Sequence, residues 1–461
     1  MNLKQLQAHV EQLLAESKIT DAHTALDNYT GDKANDPDYL SMRAVVFLSE
    51  GKFYDARNLL EQAIQIKRDH FDSWYNLGFV ATKTQNNTYR AYDCFLQAKM
   101  CAATDEEKHD ADEMLKSYQK DNKKYRVLSG TYEIANQMNT ITQALKENGW
   151  QAETVCYYPN YLKFHSDHVL DIAKFPTNQE KQMEAAKMAD KLIPQFDVFH
   201  FHFATSLTLD YADLPILKDM GKKVVNHYWG SEIRLLSKAQ RMNNPYAKVK
   251  IDNEDSIKRA LAFRSKYVSH CISPDWELYE YVRDYYPNIY FIQAAINLDN
   301  YPVAPAKNDP NKPFLIVHAP TAPEIKGTKF IVDAISSLSK SYKIDFKFIQ
   351  GMAHEEAKQW YAKADLIVDE LHCGTYGLLT IESMSMGKPV ITWVTDYMRS
   401  KYPYGLPVIS ANPDTVKEKI KWALDNRDAL PQIGKNGRDY VERNHDIRIV
   451  VQKIMDMYQH L

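Results

Sequence analysis

The sequence predicts a multidomain fold: an all-α domain of stacked helical repeats, then two doubly wound α/β lobes with a cleft between them. Three observations carry that prediction. Ala22, Ala56 and Ala91 recur at intervals of 34 and then 35 residues. Beyond Lys123, apolar strand-like runs alternate with amphipathic helical stretches, the pattern of a parallel sheet covered on both faces. A polar stretch containing prolines, VAPAKNDPNKP at 303–313, interrupts that alternation once before it restarts, and reads as a linker.

The repeat region comes first along the chain. Leu26, Leu60 and Phe95 follow the three alanines by four positions, and Tyr29, Ala63 and Ala98 follow by seven. Upstream, Trp74, Leu77 and Gly78 supply large and small packing residues, with Leu40 and Ala44 echoing them one repeat earlier. Small residues let paired helices approach while large ones fill the grooves between them. The pattern resembles three tetratricopeptide repeats with a capping helix, assigned to 1–119, with Asn86-Asn87 as an insertion in the third.

The first lobe is assigned to 120–305. Its expected strands are YRVLSG, AETVCYY, FDVFHFHF, KKVVNHYWG, YVSHCIS and IYFIQAAI, with MNTITQALKENGW as a helix after the first. The second lobe, 306–445, restarts with FLIVHAP, DFKFIQG, ADLIVDEL and KPVITWV. Residues 446–461 are an amphipathic helix expected to pack back on the first lobe. Ligands of open α/β sheets bind at the carboxyl ends of the strands, so two such lobes place a crevice between them.

Composition narrows the chemistry. A formal net charge of -3 argues against nucleic acid as the main partner, since phosphate backbones need concentrated cations. Five cysteines, none in a Cys-x-x-Cys pair, and a polar-interrupted first helix without the look of a secretory leader fit a reduced cytoplasm. No run is long and apolar enough to span a bilayer. Membrane contact is therefore expected to be peripheral, at the inner face. The cations of 234–250 (Arg234, Lys238, Arg241, Lys248 and Lys250) read first as a solvated helix face, and alternatively as a surface for anionic lipid or polymer.

The stretch CGTYGLLTIESMSMGKPVI, 373–391, carries most information. A glycine-containing turn feeding a helix N-terminus offers free N–H groups and a dipole to phosphate. Glu382, about a turn and a half into the helix, is positioned to accept hydrogen bonds from a ribose diol. Here the sequence resembles the C-terminal lobe of GT-B glycosyltransferases of family four, retaining enzymes whose signature carries two glutamates ahead of a Gly-Lys-Pro-Val strand entry. Glu382 matches the second glutamate, and Gly387, Lys388, Pro389 and Val390 match the tail. The first glutamate's position holds Gly374. In HAPTAPEIKGTKF, 318–330, Lys326 matches the family's diphosphate-binding lysine, whereas Thr321 stands where the family has arginine, leaving His318 or a helix N-terminus as a possible compensation.

The resemblance, over 124–461, implies two Rossmann-like lobes and a set of roles. Lys326, His227 and Glu382 would be the catalytic constellation, with His227 reaching the donor sugar from the end of KKVVNH. Thr321, Lys326, Gly351, Gly374, Thr375, Tyr376, Gly377, Leu378 and Glu382 would contact the donor. Gly130 and Asn136 would lie on the acceptor side, in a loop that lacks a Gly-x-Gly-x-x-Gly cradle. The family's Asn-Gly-hydrophobic-Asp turn is replaced by Ala294-Ala295-Ile296-Asn297. His200 and His202 share a strand face but show no third ligand in the sequence, so no metal site is expected, and the resemblance implies neither metal nor other cofactor.

These readings converge on a retaining transferase moving a sugar from a nucleotide-diphosphate donor to a protein or cell-surface polymer, the repeats capturing the acceptor or a partner protein. The alternative is a catalytically decayed GT-B protein serving as a binding or chaperone subunit. A phosphorylase or epimerase on the same scaffold is weaker, because repeats imply a macromolecular partner.

Overall fold

The computed structural model describes residues 2–84, 88–118, 123–159, 164–304, 312–402 and 405–461. The chain gathers into two compact units, Met1–Asn122 with His460, and Lys123–Gln459 with Leu461. Among the described residues no helix is long and apolar enough to cross a membrane.

Among the described residues the first unit has seven helices: α1 Leu3–Ala15, α2 Ile19–Asp27, α3 Pro37–Ser49, α4 Phe53–Ile66, α5 Phe71–Thr84, α6 Thr88–Cys101 and α7 Asp105–Tyr118. Neighbours pack in pairs, α1 on α2, α3 on α4 and α5 on α6. The periodic residues explain why. Ala22, Ala56 and Ala91, with Leu26, Leu60 and Phe95, are fully buried. At Gly78 an added Cβ would stand 2.6 Å from the Phe95 ring, so the α5–α6 approach depends on a missing side chain. Tyr29, unlike Ala63 and Ala98, remains partly exposed. The expected insertion at Asn86-Asn87 lies outside the described residues.

The second unit holds two parallel sheets. The first contains β1 Arg126–Thr131, β2 Gln151–Cys156, β3 His168–Val169, β4 Val198–His202, β5 Lys223–His227, β6 His270–Ser273 and β7 Asn288–Phe291, in the order β3-β2-β1-β4-β5-β6-β7. The second contains β8 Phe314–His318, β9 Ile344–Phe348, β10 Leu366–Val368, β11 Val390–Thr392 and β12 Ile409–Ser410, in the order β12-β11-β10-β8-β9. Both orders reverse direction beside their first strand, which opens the crevices in which ligands of such folds sit. Strands β1, β4, β10 and β11 are buried almost throughout, and this is why they read as apolar runs rather than alternating ones. The two-residue edge strands β3 and β12 had no such signal. The expected linker overlaps 305–311, outside the described residues.

The closing helix Ile447–His460 begins at Asp446, whose side chain accepts from Arg448 N–H. It lies against the first sheet: the Tyr458 hydroxyl hydrogen-bonds His200 Nδ1 at 2.7 Å, and the ring packs near Trp150. Gln137, at the start of helix α8 (Gln137–Glu147), pairs both ways with the backbone of Ala295 at 2.8 Å. That pairing ties the loop after β1 to the Ala294–Asn297 turn.

Candidate active site

Strand β10 is followed by Asp369 and Glu370, and the chain turns through 371–377 into the helix Leu378–Ser385. Gly377 is its N-cap, with no side chain to satisfy the first N–H groups. Lys326 ends a one-turn helix, Pro323–Lys326, that follows β8, and its ammonium reaches the same place. A Cβ built on Gly377 would stand 3.9 Å from Lys326 Nζ. The lysine and the turn expected to share a phosphate are therefore side by side.

Lys326 is already paired. Its Nζ donates to Asp369 Oδ1 at 2.5 Å and lies 3.7 Å from Glu370. Asp369 also accepts from the amide and hydroxyl of Thr380, at 3.2 and 2.8 Å. Burial works against the ammonium, but the two carboxylates outweigh it and raise the lysine above its usual range. Burial likewise raises Glu370, against the pull of Lys326. The cation is thus fixed beneath the turn by an ion pair within its own protein.

Glu382 faces a cavity of about 260 Å³, lined from the first lobe by Asn136, Gln137, Phe164 and Asn297, and from the second by His354, Lys358 and Leu378. Its Oε1 accepts from the Tyr301 hydroxyl at 2.9 Å and pairs with His354 Nε2 at 2.7 Å. Burial disfavours the charged His354 imidazole, but the carboxylate outweighs it and raises its pKa. Asn136 reaches the cavity wall in a left-handed conformation, φ 64°, as the residue before α8. The α8 start is held by buried Glu133, which accepts from the amides of Met138 and Asn139 at 3.0 and 3.1 Å. Burial lifts the Glu133 pKa to about 7 despite those bonds.

Towards Gly374 and Thr375 the lobes meet. Gly374 has φ +83°, and a Cβ there would stand 2.8 Å from Asn244 Nδ2. That amide donates to the carbonyls of His372 and Cys373, both at 2.9 Å. Thr375 donates to Asp275 at 3.1 Å and pairs closely with the Tyr402 hydroxyl. Nearby, Arg234 grips Glu277 through two bonds of 2.6 and 2.7 Å. No room is left at position 374 for the carboxylate that the resembled signature carries.

Several expected residues stand elsewhere. His227 is buried at the end of β5, stacked on Trp229 and hydrogen-bonded to His200 at 3.0 Å; it does not line the cavity. Tyr376 turns its ring away, its hydroxyl meeting Tyr440 and His445 at 3.1 and 3.0 Å, so only its backbone faces the turn. Thr321 and Gly351 are exposed and outside the cavity lining. Gly130 sits inside the sheet, where a Cβ would strike Val155 at 2.4 Å, so its smallness serves strand packing. His318 does not replace the missing arginine: it is buried, bonded to the Val368 carbonyl and Thr328, and held by burial near pKa 4, hence neutral. Arg234 belongs to no solvated helix face, because Glu277 draws it inside.

Sequence reasoning also missed residues. Asn244, Asp275 and Tyr301 act across long separations that no local pattern marks. His354 had a weak signal, opening the helix His354–Lys363 just after β9.

No family model matches the chain, and no curated protein matches it. Solved structures do. Sucrose-phosphate synthase from Thermosynechococcus elongatus is similar at 15% identity and a TM-score of 0.54, over 73% of this chain and 98% of that one. The HepE protein of Anabaena, in complex with UDP-glucose, is similar at 14% identity and a TM-score of 0.53, over 73% of this chain and all of that one. The likeness is one of fold: two α/β lobes of the GT-B kind.

Proposed function

We propose that the chain is a retaining glycosyltransferase that binds a nucleotide-diphosphate sugar between its α/β lobes and transfers the sugar to a protein or polymer acceptor. The observation that carries this is the cluster at one helix N-terminus. The Lys326 ammonium stands beside Gly377, the N-cap of a helix whose Leu378 and Glu382 line a cavity between the lobes. In this reading the diphosphate takes the amides and Lys326, and the ribose diol replaces Tyr301 or His354 on Glu382. Departure of the diphosphate on the acceptor's face needs positioning and charge stabilisation rather than a strong base. The likeness to a protein solved with UDP-glucose makes uridine nucleotides the first donors to try. The helix pairs of the first unit resemble acceptor- or partner-binding repeats. No metal or other cofactor is assigned a part in the transfer.

One observation favours a second reading, a decayed transferase that binds a nucleotide without transferring sugar: Asn244 and Asp275 fill the space at Gly374 and Thr375. Incubation with labelled UDP-, GDP- and ADP-sugars separates the two. Release of free sugar or its transfer to water or acceptor supports the enzyme. Saturable binding without any turnover supports the decayed form.

A further inference from the structure

We propose that His200, His202 and His227 bind a single divalent transition-metal ion of the zinc class at the carboxyl ends of β4 and β5. His200 and His202 stand two residues apart on β4 and so face the same side. The third ligand, invisible in the linear sequence, is supplied by the sheet: β4 and β5 are parallel neighbours, with His202 and His227 in register. Ring nitrogens of all three lie within 4.8 Å of one another, the one such cluster of three or more possible ligands among the described residues.

Two further observations point to a ligand. All three imidazoles are almost wholly buried, yet His202 Nε2 and His227 Nε2 have no hydrogen-bond partner. Leaving a buried polar group unpaired costs about 1–3 kcal/mol, and ligation through His202 Nε2 relieves one of these two. His200 Nε2 and His227 Nδ1, now hydrogen-bonded at 3.0 Å, stand near the roughly 3.3 Å expected between two nitrogens bound tetrahedrally to one zinc ion, so ligation by these two atoms replaces that bond. His200 Nδ1 rests on the Tyr458 hydroxyl, the outer hydrogen bond that orients a ligating histidine.

Each neutral imidazole keeps one lone pair, so an ion enters without net proton release. His202 must exchange tautomers, as must whichever of His200 and His227 donates the hydrogen bond they share. The His202 Nδ1 now accepts from Trp229 Nε1 at 3.2 Å, and ligation through Nε2 moves the proton to Nδ1 and turns the half-buried indole N–H towards solvent. Trp229 is therefore an internal reporter. The site does not depend on the donor reading, because none of its three histidines lines the Glu382 cavity.

The test uses the full chain, prepared with zinc or cobalt(II) in the medium, freed of loose metal by gel filtration and analysed by elemental mass spectrometry. A single retained ion per chain is expected, with visible absorption bands of tetrahedral cobalt(II) and a change in Trp229 emission that Trp229→Phe abolishes. A His202→Gln, His227→Gln variant should lose the ion. Folded wild-type chain that retains a negligible fraction of either metal overturns the proposal. So does undiminished metal in the double variant. If that variant fails to fold, the cobalt(II) spectrum of the wild type decides: imidazole-bound tetrahedral bands support the site, and an octahedral aqua-ion spectrum overturns it.

Discussion

Lys326 and Asp369 form an ion pair at 2.5 Å directly beneath the glycine turn that opens the helix Leu378–Ser385. The cation assigned to the donor diphosphate is thus also a structural partner of a fully buried carboxylate. Removing it has two consequences that a double variant separates. Lys326→Met leaves Asp369 uncompensated, a loss of about 3–5 kcal/mol, read as a fall in the denaturation midpoint. Adding Asp369→Asn should restore much of that stability but none of the sugar transfer. Recovery of transfer in the double variant would show that Lys326 serves the fold alone.

Gly374 tests the closure of the lobes. Its positive φ and the Asn244 amide 2.8 Å from its missing Cβ both oppose a side chain. Gly374→Ala should lower stability by at least about 1 kcal/mol, measured by thermal unfolding. Combining it with Asn244→Ala relieves the clash but not the backbone cost. The double variant should therefore recover part of the loss. An unchanged Gly374→Ala midpoint would contradict both the left-handed backbone and the close Asn244 contact assigned to this position.

Glu133 predicts a pH dependence. Its folded pKa of about 7 lies above the ordinary 4.5 because burial penalises the anion. A carboxyl raised on folding favours the native state most below the unfolded value, and that contribution disappears as pH rises through the folded one. Between about pH 4.5 and 7 the loss amounts to roughly 3 kcal/mol. Glu133→Gln keeps an acceptor for the Met138 and Asn139 amides, so it should flatten this part of the stability–pH curve. Curves of equal slope for both proteins would contradict the assignment.

Much of the architecture was readable before any coordinates. Strands buried on both faces, such as VFHFH and LIV, are continuous apolar or aromatic runs, and paired helices need alanine at fixed intervals; both leave local marks. The adjacency of Lys326 and Gly377 was legible for the same reason, since both stand in the strand–turn–helix connections that follow β8 and β10. What failed was long-range. The direction taken by the Tyr376 ring depends on Tyr440 and His445, dozens of residues away in sequence, and the burial of Arg234 depends on Glu277. His227 was expected in the cleft through the family resemblance, yet its neighbours on β4 take it into a histidine cluster instead. Only the register of two strands reveals that third imidazole.

Glu382 is the residue on which the donor reading turns, through its carboxylate beside Tyr301 and His354. Titration calorimetry of the full chain with UDP, GDP and ADP and their sugars, repeated on Glu382→Ala, is the most direct measurement. At least one of these nucleotides should bind the wild type and lose roughly 10–100-fold in affinity in the variant, the worth of a charge-assisted hydrogen bond. Absence of binding by any of them, or equal affinity in both proteins, would contradict the assignment of this cavity to a nucleotide donor.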